Sequence, residues 1–380
     1  MWQHAKLSEV ADIERDGIAS EAIQTGTRYL GLEHIAAGGR ILGAATVEAG
    51  DLASTKFRFT RRHVLYGKLR PYLAKIAMPD FDGICSTDIV PIMPGPRLDR
   101  SYLTHFLLQP SMIEFANSRT SGANLPRLSP KALADFQIPL PSLEEQKRIA
   151  AILDQADELR RKRQCALDRL NQLGQAIFIE MFGDPVENPF DFPIRMLGDV
   201  GNLDRGVSKH RPRNDPALLG GVHPLIQTGD VANADGYIRH FSSTYSDLGL
   251  RQSRKWPVGT LCITIAANIG KTAILGIEAC FPDSVVGFTP SSSTNAEYVQ
   301  HWMERIQKRL EEIAPQSAQK NINLAILRAL PIPIPPIDDQ RRFAARIETL
   351  EAQKEILRRA RDETDSLFAA LQHHAFVEGL

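Results

Sequence analysis

The 380-residue chain carries 45 Lys and Arg against 45 Asp and Glu, so no global charge draws it to nucleic acid or membrane and any such partner must meet a local patch. Its four cysteines, Cys85, Cys165, Cys262 and Cys280, show no C-x-x-C pairing and no His at zinc-ligand spacing, a pattern of reduced thiols in a cytosolic protein. The N-terminal MWQHAKLSEVADIERDG lacks a basic-then-apolar leader and no apolar run nears the roughly 20 residues of a membrane span, so a soluble, cytoplasmic chain of two or three domains without a membrane partner is expected.

In chain order, KLSEVADI (6–13) opens a region rich in β-branched and aromatic residues. Between Asp51 and Asp80 no acid occurs, while Lys56, Arg58, Arg61, Arg62, Lys68, Arg70 and Lys75 do, with Phe57, Phe59, Tyr66 and Tyr72 interleaved. Such a stretch can neutralise phosphates and offer Arg or Lys to base edges; a solvated surface balanced by acids folded nearby is the plainer alternative. Within it HVLYGKLRPYLAKIA (63–77), followed by CSTDIVPI (85–92), has the composition of strand, turn and strand. Then comes IPLPSLEEQKRIAAIL (138–153). Pro139 and Pro141 keep a helix from starting early, Ser142 is a good N-cap with Glu145 three residues on, and Glu144 and Glu145 suit the first turn. No proline follows until Pro185. Ile149, Leu153, Ala156, Leu159, Arg163, Leu167, Leu170, Leu173 and Ile177 alternate spacings of four and three, a coiled-coil-like seam broken mainly at Arg163. Gly174 weakens this helix and Gly183-Asp184-Pro185 ends it.

The chain then repeats itself. MLGDVGNL (196–203) echoes the opening, TLCITIAANIGKTAI (260–274) echoes 63–77, and FPDSVVGF (281–288) echoes 85–92. IPIPPIDDQRRFAARI (332–347) restates 138–153 at an offset of 194, and seven of the eighteen pairs formed by 136–153 with 330–347 are identical, where about one is expected by chance. Basic residues recur too: Arg205, Lys209, Arg211 and Arg213, then Arg251, Arg254 and Lys255 beside Trp256, then Lys271. From Asp338 onward Phe343, Ile347, Leu350, Leu357, Leu367 and Leu371 restate the seam. The expected fold is α+β, with two similar mixed α/β globules (1–141 and 184–336), each followed by a long helix (142–183 and 337–380). Each helix would hold about 38 residues and span roughly 57 Å. Their narrow apolar stripes predict an antiparallel coiled coil.

Catalytic candidates fail one by one. IGKT (269–272) has Ile265 where a phosphate-binding loop needs glycine. Asp135 with Glu145 and Lys147 imitates a nuclease set, but the Glu and Lys open a helix and the second copy has Asp339-Gln340-Arg341. NPF (188–190) is a truncated methyltransferase element with no glycine-rich cofactor loop behind it, and His373-His374 has no partner motif. No catalytic residue and no metal ligand is nominated.

The succession of IPLPSLEEQKRI, a long helix ending in MFGDP, a second globule with Gly198-Asp199-Val200 and an IGK turn, then IPIPPIDDQRRF and a second helix resembles the specificity subunit of type I restriction–modification systems. The resemblance covers essentially the whole chain. It implies a non-catalytic protein whose two target-recognition domains each read half of a split, asymmetric sequence in double-stranded DNA. The two helices would act as spacer and as docking surface for two methyltransferase subunits, with restriction subunits as optional additions. It implies no cofactor in this chain, since S-adenosylmethionine and ATP would belong to those partners. Asp338-Asp339 in place of the Glu pair, and Arg341 in place of Lys147, preserve charge and leave the helix start unaffected; the bases read stay open.

Basic character and equivalent placement in the repeat nominate Lys68, Arg70, Lys75 and Arg119 as DNA contacts in the first globule. In the second they nominate Arg205, Lys209, Asn268, Lys271 and Lys320. Ile149, Leu153, Leu167, Leu170, Ile177, Phe343, Ile347, Leu350, Leu357 and Leu371 are expected in the spacer seam and partner-docking helices. The rival reading is a duplicated coiled-coil scaffold that binds protein partners through the same loops; a self-sufficient nuclease or methyltransferase lacks its motifs.

Overall fold

The computed structural model describes residues 2–48, 50–210, 212–266, 268–313 and 322–378, the side chains at 311–313, 377 and 378 excepted. They form two compact units, 1–163 with 360–380, and 164–359. These divisions do not fall at the Pro-rich joints. Each cuts a long helix, Leu143–Phe182 or Ile337–His373, near its middle. Each unit therefore holds one globule, the first half of one helix and the second half of the other.

In the first unit one antiparallel sheet runs in the order Ala11–Ile13, Ile89–Pro94, Val64–Gly67, Ile76–Ala77. A second runs Gly17–Ile18, Lys56–Phe59, Gly83–Cys85, Thr27–Leu30, Ala45–Val47, and only its Thr27–Leu30 with Gly83–Cys85 pair is parallel. The helix Arg100–Leu107 packs on the first sheet and is capped by Asp99, which accepts from the Ser101 and Tyr102 amides. The second unit follows the same plan. Gly201–Arg205, Val285–Pro290, Leu261–Thr264 and Thr272–Leu275 match the first sheet, with Tyr237–Ile238 added at the edge. Ser243–Tyr245, Leu219–Leu225, Ala279–Cys280 and Lys255–Trp256 match the second, again with one parallel pair, Leu225 with Cys280. Asn295 caps its helix Ala296–Ile313 by accepting from the Tyr298 amide.

The Pro-rich motif is a clasp. Gln137–Pro139 pairs antiparallel with His4–Lys6, and Pro331–Pro333 pairs in the same way with Ile194–Met196. Proline fits here because each ladder has an open edge where no N–H is needed. The Tyr102 hydroxyl donates to the Pro139 carbonyl (2.8 Å) and the Tyr298 hydroxyl to that of Pro333 (2.6 Å). The glutamine common to both copies locks the clasp. Gln146 is fully buried; its Oε1 accepts from the Asp99 amide (2.8 Å) and its Nε2 donates to the Arg97 and Pro141 carbonyls (2.9 and 3.0 Å). Gln340 is buried equally, accepting from the Thr294 hydroxyl and Asn295 amide and donating to the Ser293 and Pro335 carbonyls. Each lock ties the cap of a globule helix to the first turn of a long helix, and meets the demand of burial that polar groups be paired. Ser142 accepts from the Glu145 amide at 3.2 Å, but the Glu145 carboxylate turns to Arg148 (2.7 and 2.8 Å). Only half of the expected capping box forms.

In each unit the two helix halves run antiparallel. In the first, Arg163 donates to the Ala360 carbonyl and the Thr364 hydroxyl, Arg160 pairs with Asp365 at 2.6 Å, and Gln372 donates to the His105 carbonyl at 3.1 Å. Arg163, which interrupts the apolar seam, is thus satisfied by the facing helix. Ile149 and Leu153 sink into the globule's core together with Ala375 and Phe376. In the second unit Phe178 and Phe182 pack with Phe343 and Tyr298, with Phe178 and Phe343 ring centres 5.6 Å apart. A Cβ on Gly174 would stand 3.2 Å from the His301 ring and 3.5 Å from Leu350, so this glycine, expected to weaken the helix, permits close approach.

The seam also departs from its apolar outline. Leu159, Leu173 and Leu367 are exposed, while Glu351, Lys354 and Thr364 are buried. Lys354 Nζ lies 2.6 Å from Glu351 and 3.1 Å from Asp235, which Arg358 also meets at 2.5 Å. Burial by itself would raise the Asp235 carboxyl, but Arg358 and Lys354 outweigh it and hold it below the ordinary carboxylate range.

Candidate nucleic-acid interface

In the first unit the strand Val64–Gly67 leads into the turn 68–75. The Lys68 amide donates to the Asp88 carbonyl (2.9 Å), the Lys68 carbonyl accepts from the Leu128 amide (2.9 Å), and the Arg70 amide donates to the Pro126 carbonyl (2.7 Å). Arg127 closes the brace with two bonds to the Asp88 carboxylate (2.9 and 3.3 Å). This ties the turn to the hairpin of Thr120–Ser121 with Arg127–Leu128. Lys68, half-buried, and Arg70, exposed, have no side-chain polar partner among the described residues. Arg119 is exposed at the entrance to that hairpin and lies 3.4 Å over the Phe115 ring. Three of the four expected residues therefore share one braced region.

Lys75 stands apart. It is half-buried and its ammonium donates inward to the Leu32 carbonyl at 2.6 Å, so the fold itself uses that charge. The wider basic stretch divides in the same way. Lys56 is buried with its ammonium on Ser54, and that burial lowers its pKa. Arg58 faces Asp16 at 3.6 Å, whereas Arg61 and Arg62 are exposed.

The second unit repeats the brace: the Ile322 amide donates to the Ile265 carbonyl (3.0 Å), as Leu128 does to Lys68. Asn268 and Lys271 are exposed on the turn it supports; the Asn268 carbonyl accepts from the Thr264 hydroxyl, and Lys271 Nζ donates to Gln307 at 3.2 Å. Arg205, at the end of Gly201–Arg205, and Lys209 are exposed, and the Lys209 amide is held by Gln252 at 2.7 Å. Lys320 and Arg211 lie outside the described residues. Arg213, Arg254 and Lys255 face Asp283, Asp204 and Glu278, and Arg254 also lies 4.0 Å over Trp256.

The helix residues sort by depth. Ile149, Leu153, Leu167, Phe343, Ile347 and Leu350 are buried, and Leu170, Ile177, Leu357 and Leu371 are half-buried. Ile149 and Leu153 belong to the core of the first unit, and Phe343, Ile347 and Leu350 to that of the second. The carboxylates that imitate a nuclease set are occupied as well, Asp135 by Lys6 at 3.0 Å and Glu145 by Arg148. The Arg148 hydrogen bond keeps the Glu145 carboxyl below its ordinary range. A cleft of about 720 Å³ in the first unit, lined by Arg40, Asp80, His105, Asp154 and Phe368 among others, contains none of the expected DNA residues. Among the candidates Lys68, Arg70, Asn268 and Lys271 stand on the braced turns, Arg119 follows the helix Pro110–Ser118, and Arg205 ends a strand. Residues missed by sequence reasoning are Gln146, Gln340 and Arg127; identity of the glutamine in both copies was the available signal for the first two.

Comparison with known proteins gives a consistent result. The family model described as the type I restriction modification DNA specificity domain matches residues 1–168 and again 189–364. The chain is 31% identical over 186 residues to the type I restriction enzyme EcoDI specificity subunit of Escherichia coli, which is 48% of this chain and 41% of that one. It is 24% identical over 312 residues to the MjaVIII specificity subunit of Methanocaldococcus jannaschii, 74% of this chain and 71% of that one. The matches span between 41% and 63% of the length of the first three curated relatives. Among solved structures, the type I restriction–modification S subunit of M. genitalium superposes with a TM-score of 0.66 at 14% identity, over 100% of this chain and 96% of that one. A chain from a structural study of assembly and conformational transition in a type I system superposes at 0.57 with 21% identity, over 100% and 98%. These likenesses establish a common fold.

Proposed function

The chain belongs to the type I restriction modification DNA specificity family, and from that premise we propose that it reads double-stranded DNA, each unit taking one half of a split, asymmetric site. One observation carries the reading: the braced turn occurs in both units, with its amide-to-carbonyl tie at equivalent positions, Leu128 to Lys68 and Ile322 to Ile265. Each turn leaves exposed groups suited to phosphates or base edges, Arg70 on the first and Asn268 and Lys271 on the second. The side chains on the two turns differ, so the two half-sites should differ. Lys68, Arg119, Arg205 and Lys209 complete the contact set.

The chain itself performs no chemistry in this reading. It acts in the cytoplasm, docks two methyltransferase subunits and accepts restriction subunits as further partners, while S-adenosylmethionine and ATP belong to those partners. The long helices set the spacing between half-sites. Among the described residues no helix is long and apolar enough to cross a membrane.

The test is duplex binding by the complex assembled with a methyltransferase subunit, measured across salt concentrations and followed by mapping of methylated sites. Tight binding to a bipartite site, weakening steeply as salt rises, is the expected result. Absence of duplex binding even at low salt would overturn the proposal and favour a protein-binding scaffold.

A further inference from the structure

The two braced turns differ at their tips. Tyr72 is 52% exposed and has no ring or hydrogen-bond partner among the described residues. Its counterpart in the second unit, counted back from Lys75 and Lys271, whose carbonyls hold the same place in the strand register, is Asn268, which is exposed but carries no ring. The backbone beneath Tyr72 is held unusually firmly. Arg70 and Ala74 both adopt left-handed conformations, with φ of 52° and 48°, a strained state for residues with a Cβ. Pro71 between them is buried. The Arg70 amide is tied to Pro126, the Leu73 amide to Arg70, the Ala74 amide to Pro71, and the Ala74 carbonyl accepts from Gly38. The strain persists because bonds from three separate segments over-determine the turn. What it achieves is a large aromatic side chain presented to solvent on a rigid base. Leu125, next to the tethering Pro126, is exposed as well.

We propose that Tyr72 is a specificity-determining wedge, whose ring enters the base stack of the duplex at one step within the half-site read by the first unit. This rests on the DNA-reading function proposed above and deepens it. Apolar and aromatic side chains on firm supports are suited to opening a base step, because unstacking costs free energy that a mobile side chain would not hold. Lys68 and Arg70, on the same turn, grip the flanking phosphates while the step opens. Flexible pyrimidine–purine steps open at the least cost, so a wedge contributes sequence preference without a hydrogen bond to any base. The second unit, with Asn268 at that place, presents no ring and reads its half-site without a wedge.

The test uses the complex with its methyltransferase subunit and duplexes carrying the mapped site, with 2-aminopurine placed one position at a time through both half-sites. The expected result is a fluorescence rise at one step, apart from the methylated base and confined to one half-site. Tyr72→Ala should abolish that rise and weaken binding to the site roughly tenfold, the scale of losing one base–aromatic stack. Tyr72→Phe should keep both, and the salt dependence should stay unchanged in the two variants. An Ala variant that keeps the fluorescence rise and the affinity overturns the wedge while leaving DNA reading intact. A variant that fails instead to hold the methyltransferase subunit also overturns it, and assigns Tyr72 to a protein contact. A native complex that binds no duplex overturns the proposed function itself.

Discussion

The two units share a clasp, a lock and a braced turn, and they diverge in the side chains mounted on them. Lys75 and Lys271 occupy equivalent places in the strand register: the carbonyl of each accepts from the strand opposite, from the Gly67 amide (2.8 Å) and the Thr264 amide (2.9 Å). Yet Lys75 directs its ammonium inward to Leu32 and Lys271 directs its own to Gln307 at the surface. His105 pairs with Asp154, while its counterpart His301 stacks near Phe178 and Phe343, with Nδ1 3.0 Å from the Glu297 carbonyl. What is held in common satisfies buried backbone groups, and a change there strands a donor or acceptor. What differs is carried by side chains, whether half-buried as at Lys75, buried as at His105 or exposed as at Lys271. A duplicated reading module gains from this division, since its frame stays constant while its face changes.

The largest expected effect concerns the lock, where the two units should respond alike. Gln146→Leu leaves the Asp99 amide and the Arg97 and Pro141 carbonyls short of partners; Gln340→Leu does the same to Asn295, Ser293 and Pro335. Each substitution should destabilise its own unit by about 3 kcal/mol, since an orphaned buried polar group costs roughly 1–3 kcal/mol. Hydrogen exchange resolved along the chain checks this unit by unit. Equal loss of protection around residues 97–99 and 293–295 supports equivalence; a unit that tolerates the change would show that its lock is dispensable.

The next effect should separate the two lysines. Lys75→Met removes a half-buried charged donor from the Leu32 carbonyl and should cost the first unit about 1–2 kcal/mol, leaving the salt dependence of DNA binding unchanged. Lys271→Gln should alter stability by less than about 0.5 kcal/mol and lower the salt slope by roughly one unit, the signature of one lost phosphate contact. Thermal melts with binding titrations at several salt concentrations measure both. The reverse pattern would mean that Lys75 leaves its internal partner to meet DNA.

Much of this architecture was legible from the repeat. An offset that persists through 136–153 and 330–347 announces two similar globules and two long helices, and the proline-free runs with four-three spacing announce an antiparallel pair. The polar interior was illegible for a physical reason. Periodicity identifies apolar stripes, but whether a polar residue on the stripe is buried depends on a partner remote in sequence. Lys354 meets Asp235 across 119 positions and Arg160 meets Asp365 across 205. Likewise Lys75 and Arg70 look alike in a basic stretch, and only the position of the Leu32 carbonyl makes one of them internal. Gln146 and Gln340 lay in plain sight within the repeated motif, yet their role requires knowing that a helix cap lies beside them.

The smallest effect is also the one that most sharply separates the units. Asp154 accepts from the Ser101 hydroxyl (3.0 and 2.9 Å) and lies 2.7 Å from the His105 ring, whereas Glu348, at the equivalent place in the second copy, is exposed and has no polar side-chain partner among the described residues. Burial would raise the Asp154 carboxyl, but the hydrogen bonds from His105 and Ser101 prevail and place it below the ordinary carboxylate range. A group whose folded pKa is depressed stabilises fully above its unfolded pKa, about 3.9 for Asp, and loses that contribution as pH falls through the folded value. Native protein should therefore exceed Asp154→Asn by roughly 0.5 kcal/mol in the first unit near neutrality, a modest amount because half the side chain is solvated. That advantage should shrink below about pH 4. Urea unfolding of native protein and variant from neutral pH down to about pH 3 would reveal it. A pH-independent difference at position 154 would mean that the carboxylate contributes by shape and not by charge.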